Sequence, residues 1–136
     1  MEVFVMIKLG DRLQEADWKK EKHVPVIECA DTVKKDEFFE VKVGLGKAIA
    51  HPNTTDHHIR WISLYFHPED EKFTVDIGRF EFNSHGESVE GADTSTVYTH
   101  HRVATWMKTS KPGTLYALAY CNIHGLWQSA KEITVS

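Results

Sequence analysis

Thr114-Leu115-Tyr116-Ala117-Leu118-Ala119-Tyr120-Cys121, followed at once by Asn122-Ile123-His124-Gly125-Leu126-Trp127, is the stretch on which the fold turns. In an extended chain successive side chains point to opposite faces. Leu115, Ala117, Ala119 and Cys121 then share one face, and Tyr116, Leu118 and Tyr120 share the other. Both faces are apolar, which places this strand at the centre of a covered sheet rather than at its rim. Gly125 lets the backbone turn sharply, and Trp127 can roof the turn. At that turn a thiolate, Cys121, and an imidazole, His124, stand three residues apart.

Outward from this stretch the period of two recurs. Phe39, Val41, Val43 and Leu45 alternate with Glu40, Lys42 and Gly44. Ile59–His67 puts Ile62, Leu64 and Phe66 on one face and Trp61 and Tyr65 on the other, again apolar on both sides. Phe73, Val75 and Ile77 continue the pattern, but Phe80 and Phe82 fall on the opposite parity, so a β-bulge is expected at Gly78-Arg79. Val26–Ala30, Arg102–Lys108 and Glu132–Val135 read as further short strands, and Ser110-Lys111-Pro112-Gly113 as a turn. About seven strands with almost no helix predict an antiparallel β-sandwich.

The chain has 136 residues, which is one domain by length and enough for a self-sufficient core. A sandwich domain is expected over 18–136, preceded by an arm at 1–17. In that arm Leu9, Leu13 and Ala16 have the spacing of one short helix or turn, and Trp18 anchors it on the body. A net charge of −4 with no basic stripe excludes nucleic acid as a partner. The apolar run at the start is too short to cross a membrane and lacks the pattern of a secretory signal. The cytoplasm is therefore the expected location, where the two cysteines, Cys29 and Cys121, stay free. Cys29 reads as a core or edge residue. Gly44-Leu45-Gly46-Lys47 lacks the spacing of a phosphate loop, and Gly86-Glu87-Ser88-Val89-Glu90 lacks that of a nucleophile elbow.

The chemistry lies in the nine histidines. His23 follows Glu21-Lys22 and precedes Val24-Pro25, hence it sits on a loop entering a strand. His51 and His57 bound the loop His51-Pro52-Asn53-Thr54-Thr55-Asp56-His57-His58. His57 and His58 are adjacent, so only one of them can face a shared metal. His67, His85, His100 and His101 read as loop or surface residues. His23, His51, His57 and His124 with Cys121 offer a mononuclear centre rich in imidazole with one thiolate. Structural zinc usually closes a tetrahedron from four ligands, often paired cysteines. Blue copper uses a sandwich, two His, one Cys and a weak axial Met after the last His, but here the last methionine, Met107, precedes Cys121. Iron fits better, because five protein ligands leave one position for a small molecule. A copper electron-transfer protein is the alternative, and a binding module that traps adventitious metal a third reading.

Glu21-Lys22-His23-Val24-Pro25, the loop 51–58, Phe82-Asn83-Ser84-His85-Gly86-Glu87-Ser88 and Tyr120–Trp127 occur in one order. In these motifs the chain resembles the superoxide reductases, specifically the single-iron, neelaredoxin-like class of the desulfoferrodoxin family. The resemblance runs from about Trp18 to the last residue and leaves 1–17 outside. It implies an immunoglobulin-like, seven-stranded antiparallel sandwich, often a homotetramer. It implies one iron per chain, with His23, His51, His57 and His124 equatorial and Cys121 axial, and no ligand role for His58. It implies that Glu21 takes the sixth position in the ferric state and that Lys22 lies beside it on the same loop. The implied activity is oxidoreductase: superoxide, one electron and two protons give hydrogen peroxide without release of oxygen. Rubredoxin or a similar small carrier would supply the electron.

Overall fold

The computed structural model describes residues 6–136; the first five residues of the expected arm lie outside them. Among the described residues the elements are a turn of 3-10 helix at Leu9–Arg12 and eight strands: β1 (Val26–Glu28), β2 (Thr32–Val33), β3 (Phe39–Gly44), β4 (Ile59–Pro68), β5 (Val75–Glu81), β6 (Arg102–Met107), β7 (Gly113–Cys121) and β8 (Gly125–Val135). They form a three-stranded sheet, β1-β3-β6, and a five-stranded sheet, β2-β8-β7-β4-β5.

β7 pairs with β4 on one side and β8 on the other, and β4 pairs with β5 and β7. Both strands that are apolar on two faces are thus interior to the sheet. Their inner sides meet the smaller sheet in one core, where Ile62, Leu64 and Leu115 of the large sheet and Val41 of the small one are 0% exposed. Burying each such side chain contributes roughly 1.5–3 kcal/mol. Cys121 ends the inner row of β7 and is 1% exposed.

Three features depart from the sequence reading. The strand count is eight, not seven, because the two-residue β2 pairs with β8, and that pairing is parallel: Thr32 faces Thr134 and Val33 faces Val135. β8 is a strand of 11 residues rather than a short one at Glu132–Val135. Finally, the bulge in β4–β5 falls one residue before Gly78: Leu64 faces Gly78 and Tyr65 faces Asp76, leaving Ile77 over. In the arm, Leu9 lies in the 3-10 turn and is exposed, while Gln14 makes a parallel bridge to Trp127. Trp18 is half-buried, with the Lys47 ammonium 5.4 Å from its ring centre.

Candidate metal centre

Cys121 pairs with Gly125 across a three-residue loop, Asn122-Ile123-His124. Gly125 has φ +82°, the left-handed conformation that closes such a hairpin, and glycine adopts it without steric cost. The tight loop sets the His124 backbone N–H 3.4 Å from the Cys121 sulfur, and His124 Nδ1 3.7 Å from it. That N–H is placed to orient a thiolate at Cys121. The Trp127 ring lies over His23, ring centres 5.0 Å apart and 19° from parallel, and its Nε1–H donates to the His124 carbonyl at 3.1 Å. It roofs the turn.

Two loops bring the other imidazoles. His23 occupies the turn that leads into β1, which is pinned where the Ser129 hydroxyl donates to the Pro25 carbonyl at 2.6 Å. His51 and His57 come from the β3–β4 connection. One ligand atom from each of His23, His51, His57 and Cys121 lies within 4.8 Å of all the others. His124 joins them through Nδ1, which is 3.1 Å from His23 Nε2 and 3.2 Å from His57 Nε2. His23, His51 and Cys121 are buried, His57 is half-buried and His124 is exposed, so the cluster opens to solvent on the side of the last two.

The donor set fits a metal cation. His51 Nδ1–H donates to the Pro52 carbonyl at 2.6 Å, which leaves Nε2 as a lone pair, and that atom is buried without a partner. His23 Nδ1–H donates to Glu21 Oε1 at 2.6 Å, so its Nε2 also faces inward as a lone pair. Outer hydrogen bonds of this kind fix the tautomer of a metal-binding histidine. Moreover, His124 Nδ1 approaches two ring nitrogens and a sulfur, whereas one ring nitrogen carries either a single proton or a single lone pair. A shared cation accounts for all these inward lone pairs at once. Protonation is disfavoured to match. Burial holds His51 down at about 4, with the neighbouring imidazoles His23, His101 and His57 adding to it. Burial also lowers His57, followed by His124, His23 and Lys22. The hydrogen bond from His23 holds the Glu21 carboxyl below its usual range.

The desulfoferrodoxin family model matches residues 15–130. The chain belongs to the desulfoferrodoxin family. It is 55% identical over 129 residues to the neelaredoxin of Megalodesulfovibrio gigas, covering 95% of this chain and 99% of that protein. It is 54% identical over 127 residues to the superoxide reductase of Pyrococcus furiosus, covering 93% of this chain and 98% of the other. The solved structure of the superoxide reductase (neelaredoxin) of Archaeoglobus fulgidus in the reduced form superposes with a TM-score of 0.84 at 52% identity, covering 90% of this chain and 98% of that one. The copper alternative is not favoured, as Met107 packs in the core and Met6 is exposed.

Of the residues picked out in the sequence of this family member, five gather here: His23, His51, His57, His124 and Cys121. Glu21 does not reach the inner face in this structure, because its carboxylate caps the outer nitrogen of His23. Lys22 is half-buried on the same turn and makes no ion pair among the described residues. His58 is turned away, buried, with Nδ1–H donating to the Thr54 carbonyl at 2.8 Å. His85 and His101, read as loop or surface residues, do lie in the β5–β6 connection but are only 3% and 5% exposed. Each is buried by another imidazole from a distant loop: His85 by stacking on His58, and His101 edge-on to His51, ring centres 5.7 Å apart. Sequence reasoning also missed Asn122. Its N–H donates to the His58 carbonyl, its Oδ1 accepts from the His58 N–H at 2.9 Å, and its Nδ2 donates to the Asp56 carbonyl. This staple ties the Cys121–His124 hairpin to the loop that carries His57.

Proposed function

We propose that this protein is a superoxide reductase that converts superoxide, one electron and two protons into hydrogen peroxide. The observation that carries the reading is the convergence of four imidazoles and one thiolate on one small volume. His23, His51, His57, His124 and Cys121 would hold one iron per chain. Cycling between ferrous and ferric states, that iron would supply the single electron.

The chain's own residues do the rest. Cys121 binds as thiolate at the end of the apolar row of β7, and the His124 N–H fixes the direction of its sulfur lone pairs. The Lys22 ammonium supplies a local positive charge that the net −4 lacks, steering a small anion toward the open side and offering it a proton. Glu21 is the proposed sixth donor of the oxidised state. To serve so, its carboxylate leaves the His23 Nδ1–H that holds it here. A small electron carrier such as rubredoxin would restore the reduced state, and the assembly would be a homotetramer in the cytoplasm. Among the described residues no helix is long and apolar enough to cross a membrane.

Metal analysis with the visible spectrum of oxidised protein tests this reading. One iron per chain, a thiolate-to-ferric band and superoxide consumption without oxygen release are expected; stoichiometric copper with an intense blue band overturns it. The Lys22 role has its own test. Lys22→Ala should slow the encounter of reduced protein with superoxide by roughly tenfold, the scale on which local fields change association rates. Metal content and the thiolate band should stay unchanged. Salt screens steering, so the wild-type rate should fall with ionic strength more steeply than the variant's. Equal rates and equal salt slopes would make Lys22 an ordinary surface residue.

A further inference from the structure

The connection between β5 and β6 supplies none of the five gathered donors, yet it is tightly built. Thr94 and Ser95 N–H groups both donate to the Gly86 carbonyl, and Thr99 donates through N–H and hydroxyl to the Ser84 carbonyl. Gly86 has φ +96°, and a Cβ there would stand 2.6 Å from the Tyr98 hydroxyl and 2.9 Å from the Asp93 Cα. Asp93 itself is held at φ +58°, a conformation uncommon outside glycine.

Much of this connection is bonded to one neighbour, the stretch from His51 to His58. Thr55 and Asp93 bond reciprocally: the Thr55 N–H donates to Asp93 Oδ1 at 2.7 Å, and the Asp93 N–H donates to Thr55 Oγ1 at 3.1 Å. The Thr55 hydroxyl also lies 3.2 Å from the His85 carbonyl. Asn53 Nδ2 donates to the Thr99 carbonyl at 2.8 Å. The His85 ring stacks on His58, ring centres 3.5 Å apart and 7° from parallel. The ligand-bearing loop has no strand partner of its own between His51 and His58. Its position against the sandwich therefore depends on these contacts and on the Asn122 staple.

We propose that the β5–β6 connection is a positioning clamp for the metal centre, with the Thr55–Asp93 pair as its latch, setting where the His51 and His57 nitrogens stand relative to Cys121. The proposal rests on the ligand reading given above. Direct partners of a metal ligand typically change metal affinity by about 10–100-fold when lost, and a latch one contact further out belongs at the lower end of that range. Asp93→Ala removes the acceptor for the Thr55 N–H; Asp93→Asn keeps an oxygen in its place.

The test is cobalt(II) binding to metal-free protein, by competition with a chelator, at a temperature where every variant is folded. The thiolate-to-cobalt absorption serves as the second readout. Asp93→Ala should weaken cobalt affinity by about tenfold and shift or broaden the absorption, and Asp93→Asn should restore most of both. Thr55→Val, which removes the hydroxyl at similar volume, should act like Asp93→Ala and serves if that variant does not fold. A lowered melting temperature with wild-type affinity and spectrum in both Asp93→Ala and Thr55→Val overturns the clamp. If wild-type protein itself shows no thiolate-to-cobalt band, the ligand reading fails instead, so the two failures are distinguishable.

Discussion

Replacing Cys121 with serine is expected to abolish the thiolate-to-ferric band and to lower superoxide-reducing activity by at least roughly a hundredfold, beyond what loss of an outer partner costs. The sulfur is the one soft donor in the cluster, and a hydroxyl of ordinary acidity does not replace a thiolate. Cys121 is 1% exposed, so serine also places a hydroxyl in an apolar row, at a cost of about 1–3 kcal/mol. That is within what a domain of this size tolerates, and circular dichroism should show the sandwich intact. Cys29→Ser is the control. Cys29 is half-buried against the core, its thiol pushed up chiefly by burial, and the change should leave both band and activity in place. A band that survives in Cys121→Ser, or disappears in Cys29→Ser, assigns the thiolate wrongly.

The second large effect is acid instability of the metal-free protein. His51 and His101 are each lowered from 6.5 to about 4 in the fold, in both cases by burial first. The unfolded chain therefore binds more protons than the folded one between these values. Stability is full above pH 6.5 and is lost as pH falls toward 4. Each histidine contributes on the order of 3 kcal/mol across that window, with a slope near 2.7 kcal/mol per pH unit for the pair at its steepest. Their sum rivals the whole stability of a typical domain. His57 and His85 are shifted in the same direction. Urea unfolding of metal-free protein at pH 7, 6 and 5 should show the midpoint falling steeply, and His101→Asn should reduce the slope. Metal-loaded protein should resist, since a bound cation competes with protons for the His51 lone pair. A midpoint unchanged from pH 7 to pH 5 would refute the prediction.

The centre of the sheet was legible because β4 and β7 carry apolar residues on both faces, a pattern that only a covered strand tolerates. The clustering of five side chains was legible because they stand at or beside turns that hold Pro25, Pro52 and Gly125, where loops gather at one end of a sandwich. β8 was hidden for the opposite reason. Leu126-Trp127-Gln128-Ser129-Ala130-Lys131 has no clean alternation, and it is a strand because it pairs with β7 residue by residue from Cys121–Gly125 to Gly113–Ile133. β2 was hidden because two residues carry no period at all. His85 and His101 read as loop residues by their neighbours in sequence, but their burial comes from His58 and His51, which no local window contains. Glu21 was legible as a neighbour of the centre, but the nitrogen it caps was not.

The two strands that complete the large sheet, β7 and β8, are also synthesised after the other six strands of the described residues. Until they appear, β2 has no partner among the described residues and β4 can pair only with β5. His23, His51 and His57 emerge early, whereas Cys121 and His124 arrive with the β7–β8 hairpin. A nascent chain thus exposes the long apolar strand β4 without its central partner, the kind of unpaired edge that aggregates or recruits chaperones. The five clustered side chains are therefore all present only once this hairpin has been made. Where the sandwich folds before a cation binds, the stability of the metal-free form at the pH of the cell governs how many molecules survive to be loaded.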